Sequence, residues 1–213
     1  MKFHHLRKDY SKYQLEENTT PADPFILLKQ WIANVLQLQI EEPYSMVIAT
    51  VNVDNQPSMR VVLLREITNE GLVFYTNYSS QKAQELAANP QVSIHFFWKE
   101  VEQQIRLQGT IQKVDTTTSD TYFGQRPRES QIGAWASPQS QKIANREMLQ
   151  NWVVEYTKKF ENQSIVPRPD YWGGYIVKPT KIEFWQGRDN RLHDRIVYQK
   201  NESQQWNKYR LAP

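Results

Sequence analysis

The chain has 213 residues, 39% of them hydrophobic, and a formal net charge of +3 from 26 basic and 23 acidic side chains, a near-balance that argues against a nucleic-acid partner. It has no cysteine, which excludes disulfides, thiolate metal sites and cysteine nucleophiles and fits a reducing cytoplasm. The polar start "MKFHHLRKDYSKYQLEEN" lacks an apolar signal core, and no apolar run approaches the roughly 20 residues that cross a bilayer, so a cytoplasmic protein with no membrane partner is expected.

Residues 1–20 read as a flexible, polar N-terminal arm ahead of a single domain over 21–213. In "ADPFILLKQWIANVLQLQ", Asp23 is a natural N-cap and Pro24 suits the first helical position. Phe25, Leu28, Ile32, Val35 and Leu36 then recur at helical spacing. From Tyr44 the texture turns to β. "YSMVIATVNV", "SMRVVLLREI", "GLVFYTNY", "QVSIHFFW" and "EQQIRLQGTIQKV" are rich in Val, Ile and aromatics and are separated by turn residues. "VDNQP" and "TNEG" read as hairpin connections. A short helix is expected over "SSQKAQELAANP", from near Ser79 to before Pro90. A second covers "TTSDTYFGQR" and is stopped by Pro127, with Ser130 in the loop beyond. A longer helix over "SQKIANREMLQNWVVEYTKKFEN" would carry Met148, Trp152, Tyr156 and Phe160 on one stripe, and two or three strands close the chain. Antiparallel strands, then helices, then more strands predict a mainly β (α+β) fold, one barrel-like domain with peripheral helices.

No dinucleotide, phosphate-loop, zinc-protease or nucleophile-elbow motif occurs. His4 and His5 lie in the arm, and His95 in the apolar "VSIHFFW" suits a core or interface role, so no metal site is expected. Basic residues within apolar strands say more. "RVVLLR" places Arg60 and Arg65 at opposite ends of an otherwise apolar strand. They are either charges carried out to solvent at strand ends or two forks for a phosphate or carboxylate. Tyr122 and Arg126, four apart, share a helix face with Ser130 beyond; together they could grip a phosphate dianion, although exposed Tyr and Arg at this spacing are ordinary. Lys82 falls in the first turn of a helix with Ser79 and Ser80, where free N–H groups favour an anion, or is a surface lysine after a plain cap. In "IEFWQGRDNRLHDR", read as a strand, Arg191, His193 and Arg195 share one face, and such cations repel unless an anion lies against them. Trp185 and Tyr75 add flat surfaces for ring stacking. The pattern favours binding of phosphorylated aromatic small molecules over hydrolysis.

At this point a resemblance becomes specific. "IEFWQGRDNRLHDR" resembles the C-terminal signature of the pyridoxamine/pyridoxine 5′-phosphate oxidases, flavin enzymes that make pyridoxal 5′-phosphate. "PADP", "RVVLLR", "VFYTN", "YFGQRPRESQIGAW" and "WGGY" follow in the family's order, and the similarity runs from near Arg7 to Pro213. The resemblance implies an FMN-binding split β-barrel that works as a homodimer with FMN between the subunits. It implies FMN contacts from Arg60, Arg65, Tyr75, Thr76, Gln81, Lys82, Gln104, Gln139, Ser140, Trp185 and Arg195, with Arg60 and Lys82 at the phosphate. Tyr122, Arg126 and Ser130 would take the substrate phosphate, with Arg65 beside the substrate as well. Arg191 and His193 would lie against the pyridine ring as the catalytic pair, Arg191 to orient substrate and stabilise developing charge, His193 chiefly to bind and orient. Arg7 and Tyr10 would belong to a segment that closes over the substrate.

The implied reaction oxidises pyridoxine 5′-phosphate or pyridoxamine 5′-phosphate to pyridoxal 5′-phosphate, with a hydride passing from C4′ to flavin N5. O2 reoxidises the flavin to give hydrogen peroxide, and the amine substrate releases ammonia. Two positions depart from the family: Gln81 stands where Arg is usual beside the FMN phosphate, and Arg65 where Lys is usual. Another split-barrel flavin reductase, or a non-catalytic FMN- or vitamer-binding protein, would share the FMN residues and stays open as an alternative.

Overall fold

The computed structural model describes Met1 and residues 9–213 and shows a curled antiparallel sheet with helices on its outside. Helix α1 (Pro24–Gln37) begins where the Asp23 carboxylate accepts the Phe25 amide, with Pro24 at the first helical position. Strands β1 (Ser45–Val51), β2 (Pro57–Leu63), β3 (Glu66–Ile67) and β4 (Leu72–Asn77) follow. Helix α2 (Gln81–Ala88) leads to β5 (Gln91–Trp98) and β6 (Gln103–Lys113). Three helices, α3 (Thr116–Gly124), α4 (Arg128–Ala136) and α5 (Arg146–Lys159), precede β7 (Trp172–Gln186), β8 (Asp194–Lys200) and β9 (Trp206–Arg210).

The sheet order is β2-β1-β5-β6-β7-β4-β3, with β8 and β9 continuing outward from β7. Strand β7 is the hub: it pairs with β6 along its length, with β4 over 172–177 and with β8 over 181–186. Early and late strands therefore share one sheet. The β6–β7 register slips between Gln108 and Gly109, opposite Pro179, which has no N–H for the ladder. Only glycine fits there, because a Cβ at Gly109 would stand 2.2 Å from the Lys178 carbonyl oxygen.

Alternation along the strands sends Met46, Ile48, Ile94, Phe96, Ile105, Leu107, Ile182 and Phe184 to one buried face. Helix α1 covers that face with Leu27, Leu28, Trp31, Ile32 and Val35, and Trp31 meets Phe184 edge to face at 5.2 Å. The stripe is rotated from the expected one: Leu36 is exposed, and Leu27 and Trp31 take its place. Fully burying each such side chain contributes on the order of 1.5–3 kcal/mol. A smaller core of Phe123, Phe160, Val166 and Trp172 lies beneath α3–α5.

Three helix expectations are corrected. Helix α3 ends at Gly124 with Gln125 as its cap, so Arg126 stands in the turn beyond it and not on one helix face with Tyr122. Ser130 lies within helix α4 rather than in a loop, because Pro127 both ends α3 and caps α4. A residue with fixed φ and no N–H disrupts a helix interior but is accepted at a helix start. Helix α5 begins at Arg146, where Asn145 accepts the Met148 amide, so 140–145 stay outside it. Of the predicted stripe, Tyr156 and Phe160 at its C-terminal end pack with Trp135 on the smaller core, whereas Met148 is exposed. Along the arm, Arg7 lies outside the described residues, whereas residues 10–20 run against the sheet. Leu15 is buried with its amide on Asp194 Oδ2 at 3.1 Å, and Arg210 binds both Glu17 and the Leu15 carbonyl.

Candidate active site

A cleft of about 790 Å³ opens between β2, the end of β4, the start of α2 and the α3–α4 corner. It brings together Arg60, Arg65, Tyr75, Thr76, Gln81, Lys82, Tyr122, Arg126, Ser130, Gln139 and Ser140, from six separate segments. Four of these are cations, and among the described residues no carboxylate lines the cleft. Such an arrangement suits anionic ligands.

At one end, β4 delivers Thr76 and the following turn starts α2, which places Lys82 in the first turn of the helix. The Lys82 ammonium is buried and donates to Thr76 Oγ1 at 3.1 Å and Gln139 Oε1 at 3.2 Å, neutral oxygens in both cases. Burial and the nearby Arg60 charge bring its pKa down to about 8, against the opposing pull of Glu85. Arg60 stands beside it on β2, held by Ser58 at 2.6 Å and by Glu85 at 3.3 Å. Ser80 spends its hydroxyl on the Asn77 carbonyl at 2.6 Å, and Ser79 does not line the cleft, so Lys82 is the part of that expected cluster that faces it.

At the other end the wall is aromatic. Tyr75 and Tyr122 stack at 3.8 Å, and Trp172 lies nearly parallel to both. Gly174 makes this possible, because a Cβ there would stand 2.7 Å from the Tyr75 ring. The Arg126 guanidinium sits 4.5 Å above the Trp172 ring, and its Nη1 is buried without a hydrogen-bond partner. Burial lowers the Arg126 pKa, Tyr122 opposing and Arg65 adding to the fall. A desolvated fork with an unsatisfied donor, next to the Tyr122 and Ser130 hydroxyls, suits an oxyanion.

The remaining candidates lie on a different surface. Gln104, Trp185 and Arg195 are direct cross-strand partners, so they form one row across β6, β7 and β8. His193 packs on Trp185 at 4.7 Å, and Tyr10 meets both rings at under 6 Å, at 5.8 and 5.9 Å. Arg195 is held by Glu183 at 2.9 and 3.2 Å. The expected strip of three cations on a strand is corrected. Strand β8 starts only at Asp194, and Arg191 occupies a 3-10 turn with a left-handed backbone (φ 65°), as does Asn190 (φ 55°). Asn tolerates this conformation, and the Leu192 amide closes the turn on Asp189 at 3.0 Å. None of Gln104, Trp185, Arg191, His193 and Arg195 lines the cleft of their own chain.

A model of the pyridoxamine 5′-phosphate oxidase family matches residues 33–158, and one of the pyridoxine 5′-phosphate oxidase C-terminal dimerisation region matches 172–213. This chain belongs to the pyridoxine/pyridoxamine 5′-phosphate oxidase family. A relative of that name from Psychrobacter cryohalolentis is 47% identical, covering 100% of this chain and 99% of the relative. Another from Nostoc sp. is 49% identical, over 98% and 97% of the two chains. Among solved structures, PhzG from Burkholderia lata, in complex with tetrahydrophenazine-1-carboxylic acid, superposes with a TM-score of 0.86 at 29% identity, over 92% of this chain and 95% of that one. An FMN-binding protein from Nostoc punctiforme, related to the same oxidases, shares the fold with a TM-score of 0.70 at 16% identity, over 91% and 100%. The split barrel expected from the sequence is thus the fold of this family member.

Sequence reasoning missed Trp172, the floor beneath Arg126, and Glu85, the carboxylate behind Arg60. Trp172 carried a signal in the "WGGY" stretch, since two adjacent glycines beside aromatics mark close packing. Glu85 carried only its spacing of four from Gln81, which is ordinary on a helix surface. Among the described residues no group of His, Asp and Glu could hold a metal ion.

Proposed function

We propose that this protein is an FMN-dependent oxidase that converts pyridoxine 5′-phosphate and pyridoxamine 5′-phosphate to pyridoxal 5′-phosphate. The observation that carries this reading is the cleft itself, with two cationic ends separated by an aromatic wall. One end suits a flavin phosphate, through Arg60 and Lys82, with Thr76, Gln81, Gln139 and Ser140 around them. The other suits a vitamer phosphate, through Tyr122, Arg126 and Ser130, with Arg65 at the rim. The buried, partnerless Nη1 of Arg126 and the Lys82 ammonium held only by neutral oxygens both support anionic ligands. FMN, when bound, would supply the redox chemistry by taking up the hydride that C4′ loses, with O2 as final acceptor giving hydrogen peroxide; from the amine substrate, water would hydrolyse the resulting imine to the aldehyde and ammonia.

The chain itself binds, orients and excludes water, and it needs no nucleophile. Arg191 and His193 act as the catalytic pair against the pyridine ring, with Gln104, Trp185 and Arg195 alongside on the flavin. Because these five lie outside the cleft of their own chain, they serve the cleft of a second copy in a homodimer. Their face of the sheet also carries Met59, Val61 and Phe97, exposed at 72%, 63% and 53%, which a partner would cover. Residues 21–213 form the FMN-binding domain. The arm, through Arg7 and Tyr10, covers the bound substrate, consistent with Tyr10 on the Trp185 and His193 rings. A cytoplasmic location belongs to the same proposal. Among the described residues no helix is long and apolar enough to cross a membrane.

The test is the visible spectrum of FMN-loaded protein under nitrogen, before and after pyridoxine 5′-phosphate. Bleaching of the flavin bands, reversed by air with peroxide formed, is the expected result. A flavin spectrum unchanged by either phosphorylated vitamer overturns the oxidase reading and leaves the fold standing.

A further inference from the structure

Directly behind the phosphate end of the cleft lies the Glu85 carboxyl group, with only 6% of its surface exposed. Its Oε2 accepts hydrogen bonds from Thr50 Oγ1 and from Ser58 Oγ at 2.8 Å and meets Arg60 Nη2 at 3.3 Å. Its Oε1 accepts from Gln81 Nε2 at 2.8 Å. Arg60 in turn donates Nη1 to Thr50 and Nη2 to Ser58. Burial pushes the Glu85 carboxyl up, but the bonds from Thr50, Gln81 and Ser58 and the Arg60 charge outweigh it and bring it down to about 2. Hydroxyls and amides could satisfy one another in such a wall without an ion. A charge kept there acts on whatever the neighbouring cations bind.

We propose that Glu85 is an affinity-setting residue for the flavin phosphate: it orients Arg60 while offsetting its charge, and so holds FMN binding below what Arg60 and Lys82 would reach without it. The inference rests on the reading of this cleft as the FMN site. A phosphate dianion arriving at Arg60 and Lys82 meets two cations with a carboxylate directly behind one of them. Gln81, on the cleft wall, adds no charge to restore the balance and ties its amide to the same carboxylate. The result is a flavin that exchanges more readily than the count of cations implies.

The variant Glu85→Gln keeps the shape of the network. Its amide oxygen takes the place of Oε2, and its Nε2 donates to Gln81 once that amide turns over. FMN and riboflavin, which lacks the phosphate, are each titrated at about pH 6.5, well below the ordinary lysine pKa, and followed by flavin fluorescence. FMN affinity is expected to rise roughly three- to tenfold, the scale of one partly screened charge pair, with riboflavin affinity unchanged. Glu85→Asp draws the carboxylate back from Arg60 by one methylene and is expected to tighten FMN in the same sense by a smaller factor, again with riboflavin unchanged, so it decides the matter if Glu85→Gln folds poorly. Unchanged or weaker FMN binding in the variants that fold overturns the proposal. Arg60→Ala separates this from the underlying reading: if it weakens FMN but spares riboflavin, the cleft assignment stands whatever Glu85 does. If Arg60→Ala leaves both flavins unaffected, the cleft assignment itself fails.

Discussion

The backbone amide of Arg188 donates to Nδ1 of His193 at 3.0 Å. A ring nitrogen that accepts a hydrogen bond carries no proton, so the neutral imidazole of His193 bears its proton on Nε2 and presents a donor there. Burial and the Arg191 charge lower the His193 pKa, with Asp194 opposing, and this favours that neutral form. A donor binds and orients; it does not abstract a proton. His193→Gln, which offers an amide N–H at a similar reach, is therefore expected to keep kcat within about tenfold and to raise KM several-fold. A fall in kcat of more than about a hundredfold, with KM unchanged, would show a base instead.

The same contact has a pH signature. Protonating Nδ1 breaks the Arg188 bond, so the folded protein binds this proton less readily than the unfolded chain does. The contribution to stability is then present above the ordinary imidazole range and is lost as pH falls through it. Melting temperatures measured from about pH 7.5 down to about pH 5 should drop less in His193→Gln than in the parent protein.

Tyr122 on α3 and Arg126, in the turn just beyond that helix, both line the cleft where the substrate phosphate is proposed. Removing the guanidinium costs a charge-assisted contact, on the order of 1.5–3 kcal/mol, so Arg126→Ala is expected to raise KM roughly ten- to a hundredfold. The phenol contributes less, and Tyr122→Phe should raise KM only a few-fold. Steady-state kinetics with flavin content held constant measures both, and an unchanged KM in Arg126→Ala rejects the phosphate assignment.

Gly174 lies against the aromatic wall, where a methyl group would meet Tyr75 Cε1 at 2.7 Å and Val114 Cγ2 at 2.6 Å. Tyr75 is held by its stacking on Tyr122 and by the β4–β7 ladder, and the Val114 backbone is tied to the Gly174 carbonyl at 3.0 Å. Gly174→Ala is expected to destabilise the fold by about 1–3 kcal/mol, as overpacking does elsewhere, and to weaken flavin retention. Urea denaturation monitored by tryptophan fluorescence reads the first effect, and flavin release on gel filtration the second.

The homodimer reading makes a prediction by complementation. Arg126→Ala damages the cleft and Arg191→Ala the outer row, and with substrate held well below the parent KM each should show little activity alone. In a hybrid dimer the two lesions fall in one site and leave the other intact. Mixing equal amounts after reversible dissociation should restore about a quarter of the parent activity, since half the dimers are hybrids with one good site. No recovery despite proven subunit exchange would place both groups in one chain's own site.

Local features of this protein were determined by short stretches of sequence. The Asp23–Pro24 start of α1, the strand set from Tyr44 to Val114 and the helix opened at Ser80 each depend on neighbours a few residues apart, whose caps and alternation act through the local backbone. The cleft residues could be named from motifs, and most of them do converge. Tertiary structure alone decided the rest. Pro127 reads equally as the end of one helix or the start of the next, and it serves as both. The spacing of Arg191, His193 and Arg195 reads as a strand, yet Arg191 lies in a left-handed turn closed on Asp189, and β8 starts only after His193. Whether Lys82 is buried or solvated depended on Gln139, 57 positions later, arriving to accept its hydrogen bond. That burial, and the charge of Glu85 beside it, set the electrostatics of the cleft. Both depend on which distant segments exclude water from the same few ångströms, information that no local pattern contains.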